Sequence, residues 1–213
     1  MIRRFLFIYF FVNCWFCQGQ TLSKLELRGD YSNGDSIQIT EAYLNAKQAV
    51  GLMQKAMNRI WETDGLSESN KKISRKGKWK KNESVVQWLG QPEKIRLARR
   101  RISHIHAKFE KKIVLEVIKE NKGRCKGWIS AWTLPFGKVK IRLCDDYLRY
   151  RTHLHEKTLI HEMGHEIGML LDRRIQGCIS AQRAANSTTN VAKRSPENYA
   201  WLAMSYLGLE CGR

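Results

Sequence analysis

Beyond its first seventeen residues, the sequence has no segment apolar enough to cross a membrane. It is also short of acidic residues, with 20 Asp and Glu against 38 Lys and Arg in 213 residues. After Cys17 no C-x-x-C pair occurs. These absences count against a multispan membrane protein and against a zinc site built from four cysteines.

The N-terminus predicts a secretory signal peptide. Arg3 and Arg4 precede an apolar run at residues 5–12, which is too short to span a bilayer comfortably and is followed by small and polar residues. We therefore expect a signal peptide at residues 1–19, a secreted protein and no stable membrane insertion after cleavage. An uncleaved signal anchor is the alternative.

The cysteine count agrees with secretion. An even number in a secreted chain predicts two disulfides, for which three pairings exist. We favour Cys125–Cys144, which closes a short loop, together with Cys178–Cys211. Buried free thiols are the alternative. After removal of the signal peptide, the chain keeps four cysteines: Cys125, Cys144, Cys178 and Cys211.

The rest of the chain is long enough for one domain with a substantial core, and we expect a monomer. Its formal charge is +18, or +16 without the signal peptide. Residues 71–112 hold fifteen Lys or Arg against three acidic residues, so they supply most of this charge. Such a region attracts an anionic surface, a polysaccharide or nucleic acid. A solvated surface is an equally good interpretation.

The first half of the domain reads as helical. Residues 20–40 form an N-terminal arm, and the domain at residues 41–213 opens with a helix over 41–61 capped by Thr40. The polar, Lys-rich stretch at residues 62–82 predicts a long basic loop. A further helix opens near Pro92, with a buried stripe that runs to Ile113.

The second half contains two β-prone segments, residues 128–132 and 139–144. Pro135 and Gly137 predict a turn between them, so a hairpin pinned by the first disulfide fits. Residues 158–168 read as a helix that ends at Gly168. The predicted fold class is therefore α+β and predominantly helical, with a small β-hairpin or sheet.

That helix carries the motif H-E-x-x-H, formed by His161, Glu162 and His165. Residues four apart lie on one face of a helix, so two neutral imidazoles can hold one Zn²⁺ per chain. Glu162 is then placed to take a proton from a zinc-activated water. An amphipathic helix with a surface His-Glu-His cluster is the structural alternative.

A catalytic zinc needs a third protein ligand. Asp172 lies seven residues after His165 and is the nearest candidate. The metzincin spacing places its third ligand at Leu171, which cannot bind metal, so a metzincin is disfavoured. A gluzincin takes a Glu from a later helix, and Glu197 is available for that part.

With these landmarks, the sequence resembles the aspzincin family, the deuterolysin and peptidyl-Lys metalloendopeptidase group of secreted zinc peptidases. The similarity covers most of the chain after residue 40. The landmarks run in the family's order: an early helix from Ala42 to Met57, Trp88-Leu89-Gly90, the pair Cys125 and Cys144, the phrase from Thr158 to His165, Asp172 before Gly177, and Glu197-Asn198.

The resemblance implies a zincin-like fold in which His161, His165 and Asp172 bind zinc and Glu162 is the general base. It also implies the disulfide Cys125–Cys144. In the lysine-specific members an acidic residue contacts the substrate lysine, and Glu197 stands at the matching position.

The chain departs from the family's pattern near these residues. Ala200 stands where the lysine pocket has a second acidic residue, which counts against lysine specificity. Gln176 replaces the Tyr that stabilises the oxyanion, and Tyr199 is a candidate substitute. The loop between His165 and Asp172 is also shorter than the family's.

The sequence therefore predicts a secreted zinc-dependent metalloendopeptidase acting on proteins or peptides. One alternative is a zincin-fold protein that binds zinc and a partner but has lost activity. Another is a basic secreted module for anionic glycans or nucleic acid, in which residues 71–112 bind and the motif is incidental.

Overall fold

The structure, a computed structural model, describes residues 24–118, 124–125, 130–134, 139–149, 154–168, 175–187, 190–209 and 211. The predicted signal peptide, Asp172 and the turn at residues 135–137 lie outside them. Among the described residues, no helix is both long and apolar enough to span a bilayer.

The first helix, α1 (Asn33–Trp61), begins eight residues earlier than the sequence predicts. Its N-cap is Ser32, not Thr40. Ser32 Oγ accepts from the backbone N–H of Asp35, and the Asp35 carboxylate accepts from the backbone N–H of Ser32, a reciprocal capping box. Because residues 33–38 are exposed or half-buried and mostly polar, the apolar periodicity does not reach them.

The predicted N-terminal arm is also wrong, because residues 25–29 form strand β1 (Leu25–Gly29). It pairs in parallel with β2 (Ile113–Ile118). Ile113, expected at the end of a helical stripe, is the first residue of β2. In β2, buried and half-buried residues alternate, as in a strand with one face on the core.

The predicted basic loop at residues 62–82 is wrong over most of its length, because α2 (Glu68–Lys81) is a helix. Trp79 is its single buried residue, so no apolar period reveals it. The Trp79 indole N–H donates to the carbonyl of Gly90 over 2.8 Å and anchors the helix. Glu68 in the first turn and three lysines in the last complement the helix dipole.

The segment Trp88-Leu89-Gly90 closes the short helix α3 (Glu83–Leu89) at a tightly packed corner. Gly90 has φ +72°, and a Cβ there would collide with the carbonyl of Ala185. The Trp88 ring stacks on that of Trp201 at 5.7 Å. The positive φ and the close approach of Ala185 explain why position 90 is a glycine. Helix α4 (Ile95–Phe109) follows and begins three residues after Pro92.

A mixed four-stranded sheet has the order β1-β2-β4-β3. The predicted hairpin is confirmed: β3 (Ala131–Thr133) is antiparallel to β4 (Lys140–Cys144). Strand β4 also pairs in parallel with β2. A short helix, α5 (Asp145–Arg149), leaves the end of β4.

The last helices complete the site. Helix α6 (Leu154–Glu166) carries the H-E-x-x-H motif, and Gly168, at φ +74°, follows its end as predicted. Helix α7 (Gly177–Asn186) and α8 (Pro196–Ser205) follow, separated by a 3₁₀ turn at Ala192–Arg194. Helix α6 packs against α1, α8 and the edge strand β3, so the motif helix lies between the helical core and the sheet.

The structure joins the cysteines as expected, Cys125 with Cys144 and Cys178 with Cys211. Their Cα atoms are 5.3 and 5.7 Å apart, within the usual range for disulfides. The first bridge fixes the end of β4. The second ties the start of α7 to the C-terminal segment.

Candidate metal centre

His161 and His165 lie one turn apart on α6 and direct their rings toward one point. Their Nε2 atoms are 3.2 Å apart, and the rings meet edge to face with centroids 4.9 Å apart. Both side chains are partly exposed, so the pair is open to solvent on one side. The spacing predicted from the sequence therefore brings together two imidazole nitrogens that could hold a metal ion.

Glu162 joins this pair. One potential ligand atom from each of His161, Glu162 and His165 lies within 4.8 Å of the others. Glu162 is 7% exposed, so its carboxylate lies in a recess next to the imidazoles. A carboxylate in this place can exchange protons with a water at the imidazole pair.

The ring of His161 is held from behind by Glu197 on α8. His161 Nδ1 lies 2.8 Å from Glu197 Oε2, on the side of the ring away from His165. Lys157 Nζ donates to both carboxylate oxygens, at 2.8 and 3.0 Å. The backbone N–H of Gly177 and the indole N–H of Trp201 each donate to Oε1 at 3.0 Å. The carboxylate thus joins α6, α7 and α8.

Burial opposes the ionisation of Glu197, but the hydrogen bond from His161 and the charge of Lys157 outweigh it and lower the pKa to about 2. The side chain is 2% exposed and accepts five hydrogen bonds. This burial and the five internal hydrogen bonds count against a contact between Glu197 and substrate, which stays an untested prediction. Glu197 is also not placed as a third ligand, because it faces Nδ1 while Nε2 faces His165.

Lys157 is a site residue that the sequence analysis missed. It lies four residues before His161, and His165 lies four residues after, so all three occupy one face of α6. The spacing of four residues between Lys157 and His161 could therefore indicate from the sequence alone that Lys157 lies at the site. Lys157 therefore binds the Glu197 carboxylate, which the resemblance to lysine-specific peptidases assigns to a substrate lysine.

Tyr199, the candidate oxyanion donor, is a core residue in the structure, which counts against that role. The side chain is fully buried, and its hydroxyl donates to the carbonyl of Lys193 over 3.1 Å. Burial raises the pKa of Tyr199 well above its ordinary value, although Arg101 opposes the shift. Helix α8 is buried on all sides from Pro196 to Met204, so Tyr199 is enclosed by the core.

Gln176 is exposed and is the N-cap residue of α7. The next residue, Gly177, donates to Glu197, so the Gln176 backbone lies one residue from the carboxylate that holds His161. Asp172, the expected third ligand, lies outside the described residues.

Glu166 anchors the C-terminal end of the motif helix and was also missed. It is 2% exposed and accepts from Thr133 Oγ1 on β3 at 2.7 Å. Lys108 on α4 lies 3.3 Å from its other oxygen. These bonds fix His165, one residue earlier, relative to the sheet. The sequence gives no sign that Glu166 is buried, because a charged residue directly after the motif is expected to face solvent.

Asn198, beside Glu197, is a structural residue. Its side-chain N–H groups donate to the carbonyls of Trp88 and Ala181, both at 2.7 Å. It thereby holds α3 and α7 against α8. In this pair, Glu197 holds the ring of His161, and Asn198 stabilises the packing of the helices.

No protein-family model and no curated protein matches the sequence. The fold is similar to the solved structure of a zinc peptidase from Grifola frondosa, with a TM-score of 0.58 and 11% sequence identity. The alignment covers 84% of this chain and 100% of that chain. This similarity confirms the predicted fold class, which is α+β and mostly helical with a small four-stranded sheet.

Proposed function

We propose that the protein is a secreted zinc endopeptidase of the aspzincin type, in which His161 and His165 bind the metal. The observation that carries the proposal is the 3.2 Å separation of the two Nε2 atoms beside Glu162. Around a tetrahedral zinc with Zn–N bonds of 2.0–2.1 Å, two nitrogen ligands are about 3.3 Å apart. The imidazole pair therefore fits zinc with little movement.

Asp172 is proposed as the third protein ligand, giving one zinc per chain. Two nitrogens and one carboxylate oxygen form a donor set that suits zinc and leaves a fourth position for water. Glu197 supports this set from outside, because a carboxylate on the far nitrogen of a ligating histidine fixes its tautomer and orientation. The fold of a zinc peptidase agrees with this assignment.

The chemistry that such an ion supplies is a water with a pKa near 7 and a polarised scissile carbonyl. Glu162 accepts the proton of the attacking water and then donates it to the nitrogen of the leaving amine. Gln176 is proposed to donate a hydrogen bond to the carbonyl oxygen as negative charge develops on it. The proposed substrates are proteins or peptides. Specificity for lysine is not proposed, because the Glu197 carboxylate is already bound by Lys157.

Secretion is supported by the chemistry of the chain. Two disulfides in the described residues are typical of an oxidising compartment. The sequence pattern at residues 1–19 is that of a signal peptide.

Replacement of Glu162 by Gln tests the proposal. The variant should retain one zinc per chain, while kcat on a denatured protein substrate falls roughly 10²–10⁴-fold, the usual contribution of a general base. The matched control is Glu156→Gln on the same helix, whose carboxylate accepts from Asn45 at 3.1 Å outside the metal centre. Glu156→Gln should cleave at the wild-type rate.

Two results would contradict the proposal in different ways. Unchanged cleavage by Glu162→Gln would remove the proposed base. A wild-type protein that binds one zinc but cleaves nothing would favour the second candidate, a zinc-binding protein without activity. Gln176 in place of the expected Tyr is the observation that favours this alternative.

A further inference from the structure

Trp61, the last residue of α1, lies between two arginines from different helices. The guanidinium carbon of Arg75 on α2 is 3.8 Å from the centre of the indole ring, and that of Arg99 on α4 is 4.3 Å away. Cation–π attraction stabilises each contact. It also concentrates two positive charges around one side chain.

Neither arginine forms an ion pair with a carboxylate among the described residues, although Glu68 lies close enough to Arg75 for its charge to be felt. Arg75 donates to the carbonyl of Trp61 and to the hydroxyl of Thr63, both uncharged acceptors. Arg99 Nε is buried with no hydrogen-bond partner in the part of the chain that the structure describes. A buried donor without an acceptor costs free energy, which an anionic ligand would offset.

Two open cavities meet at this cluster. One, of about 500 Å³, is lined by Trp61, Arg75 and Arg99. The other, of about 450 Å³, shares Trp61 and Arg75 and extends over the surface of α2. Both volumes fall in the range of small-molecule sites, so the two form a groove that fits neighbouring sugar units.

The charge of the groove selects an anion. Seven Lys or Arg side chains line the two cavities together, against four acidic ones. Lys71 is paired with Glu68 at 2.7 Å, whereas the two arginines at Trp61 have no such pair in the described residues. The planar guanidinium fork binds tetrahedral oxyanions such as sulfate with two parallel hydrogen bonds.

The groove favours a sulfated glycan over nucleic acid. Proteins that bind single strands offer free aromatic faces on which bases stack. Among the described residues, Trp61 is the one aromatic side chain lining either cavity, and two guanidinium groups already cover it. The site therefore offers charge and hydrogen-bond donors, and no platform for bases.

We propose that the groove around Trp61, Arg75 and Arg99 is a binding site for a linear sulfated polysaccharide. It lies on α1, α2 and α4 and uses no residue of the metal centre. A protein held at such a polymer would be concentrated on an anionic extracellular matrix. The proposal does not depend on peptidase activity.

The test is calorimetric titration of the full chain with a heparin-derived hexasaccharide and with the same hexasaccharide after desulfation, in about 0.15 M salt to screen weak surface attraction. The double variant Arg75→Gln/Arg99→Gln should weaken binding about tenfold or more. The control Lys80→Gln/Arg100→Gln removes the same charge from exposed positions of α2 and α4 outside both cavities. It should weaken binding less than about twofold.

Equal weakening by the two double variants would overturn the proposal, because only net charge would then matter. So would equal affinity for the desulfated sugar, or tighter binding of a single-stranded DNA of the same charge. Since Arg75 also donates to the carbonyl of Trp61 and to the hydroxyl of Thr63, a measurement on the wild-type chain is needed as well. The hexasaccharide should protect Arg75 and Arg99, but not Arg100, from an arginine-directed dicarbonyl reagent. If the reagent modifies Arg75, Arg99 and Arg100 equally in the presence of the hexasaccharide, the proposal is overturned.

Discussion

Glu197 Oε2 lies 2.8 Å from His161 Nδ1, and the opposite nitrogen of that ring lies 3.2 Å from His165 Nε2. An ionised carboxylate accepts hydrogen bonds only, so it fixes the proton of His161 on Nδ1. The lone pair is then on Nε2, where a metal can use it. One buried carboxylate therefore determines which nitrogen of His161 is available to bind a metal.

Replacement of Glu197 by Gln should lower zinc affinity roughly 10–100-fold, as loss of such supporting carboxylates does elsewhere. The amide can still reach His161, but it no longer neutralises Lys157, whose side chain is 15% exposed. Competition with a chelator of known affinity measures the change. Glu110→Gln, which alters an exposed carboxylate near Lys24 and Lys47, is the control. Wild-type zinc affinity in Glu197→Gln would refute the supporting role.

Replacement of Asp172 by Asn should reduce zinc affinity more than Glu197→Gln does. A direct ligand contributes a metal bond, whereas Glu197 acts through His161. The same chelator competition ranks the two variants, and metal analysis gives the stoichiometry. If Glu197→Gln loses more zinc than Asp172→Asn, the two proposed roles are reversed.

Gln176 should affect turnover and not metal binding. Replacement by Ala should lower kcat about 10²–10³-fold with zinc retained, the range seen when one oxyanion donor is removed. Replacement of Gln176 by Tyr should keep kcat at the wild-type value or raise it. Gln182→Ala, further along α7, serves as the control. Equal kcat in the wild type and the Gln176→Ala variant would assign the oxyanion to another donor.

The sequence predicted those parts of the site that depend on local spacing. His161, Glu162 and His165 needed only one helical turn, and the hairpin followed from alternation and a turn signal. The position of Glu197 in the sequence indicates a site residue but does not show its hydrogen-bond partners. Its neighbours Lys157, Gly177 and Trp201 come from three helices, and only the packing of those helices shows that the carboxylate is already saturated.

Two of the elements that the sequence did not predict have few buried side chains or depend on a distant partner. Helix α2 has one buried residue, so its stability depends on Trp79 and on charge placement. Strand β1 is partly exposed and requires β2 as a partner 88 residues later, as the register Leu25 with Ile113 shows. Long-range pairing of this kind leaves no trace in local periodicity.

His155 should make the stability depend on pH. Burial lowers its pKa below 6.5, although the carbonyl of Tyr147 and the charge of Glu156 oppose the shift. The unfolded chain thus binds a proton more readily than the native one. The contribution of His155 to the free energy of unfolding is complete above about pH 6.5 and is lost as the pH falls toward the native pKa.

Urea titrations between about pH 5 and 7 should therefore show a weaker pH dependence for His155→Gln than for the wild type. The difference in slope cannot exceed about 1.4 kcal/mol per pH unit, the value for one proton. His104→Gln, at an exposed position on α4, should leave the slope unchanged. Parallel curves for His155→Gln and the wild type would show that His155 does not contribute.

The disulfide Cys178–Cys211 should stabilise both the fold and the metal centre. It spans 33 residues, and loop-closure entropy assigns such a bridge about 3–4 kcal/mol in the free energy of unfolding. Cys178 directly follows Gly177, whose N–H donates to Glu197, so the bridge also fixes a contact of the carboxylate behind His161.

Replacing Cys178 and Cys211 by Ser should lower the urea midpoint by an amount that corresponds to this energy. Replacing Cys125 and Cys144, which are 19 residues apart, should cost about 3 kcal/mol. Zinc affinity should fall more in the first variant, because only Cys178 adjoins a residue bonded to Glu197. Equal zinc affinities in two variants of similar stability would mean that the bridge supports the fold without acting on the metal centre.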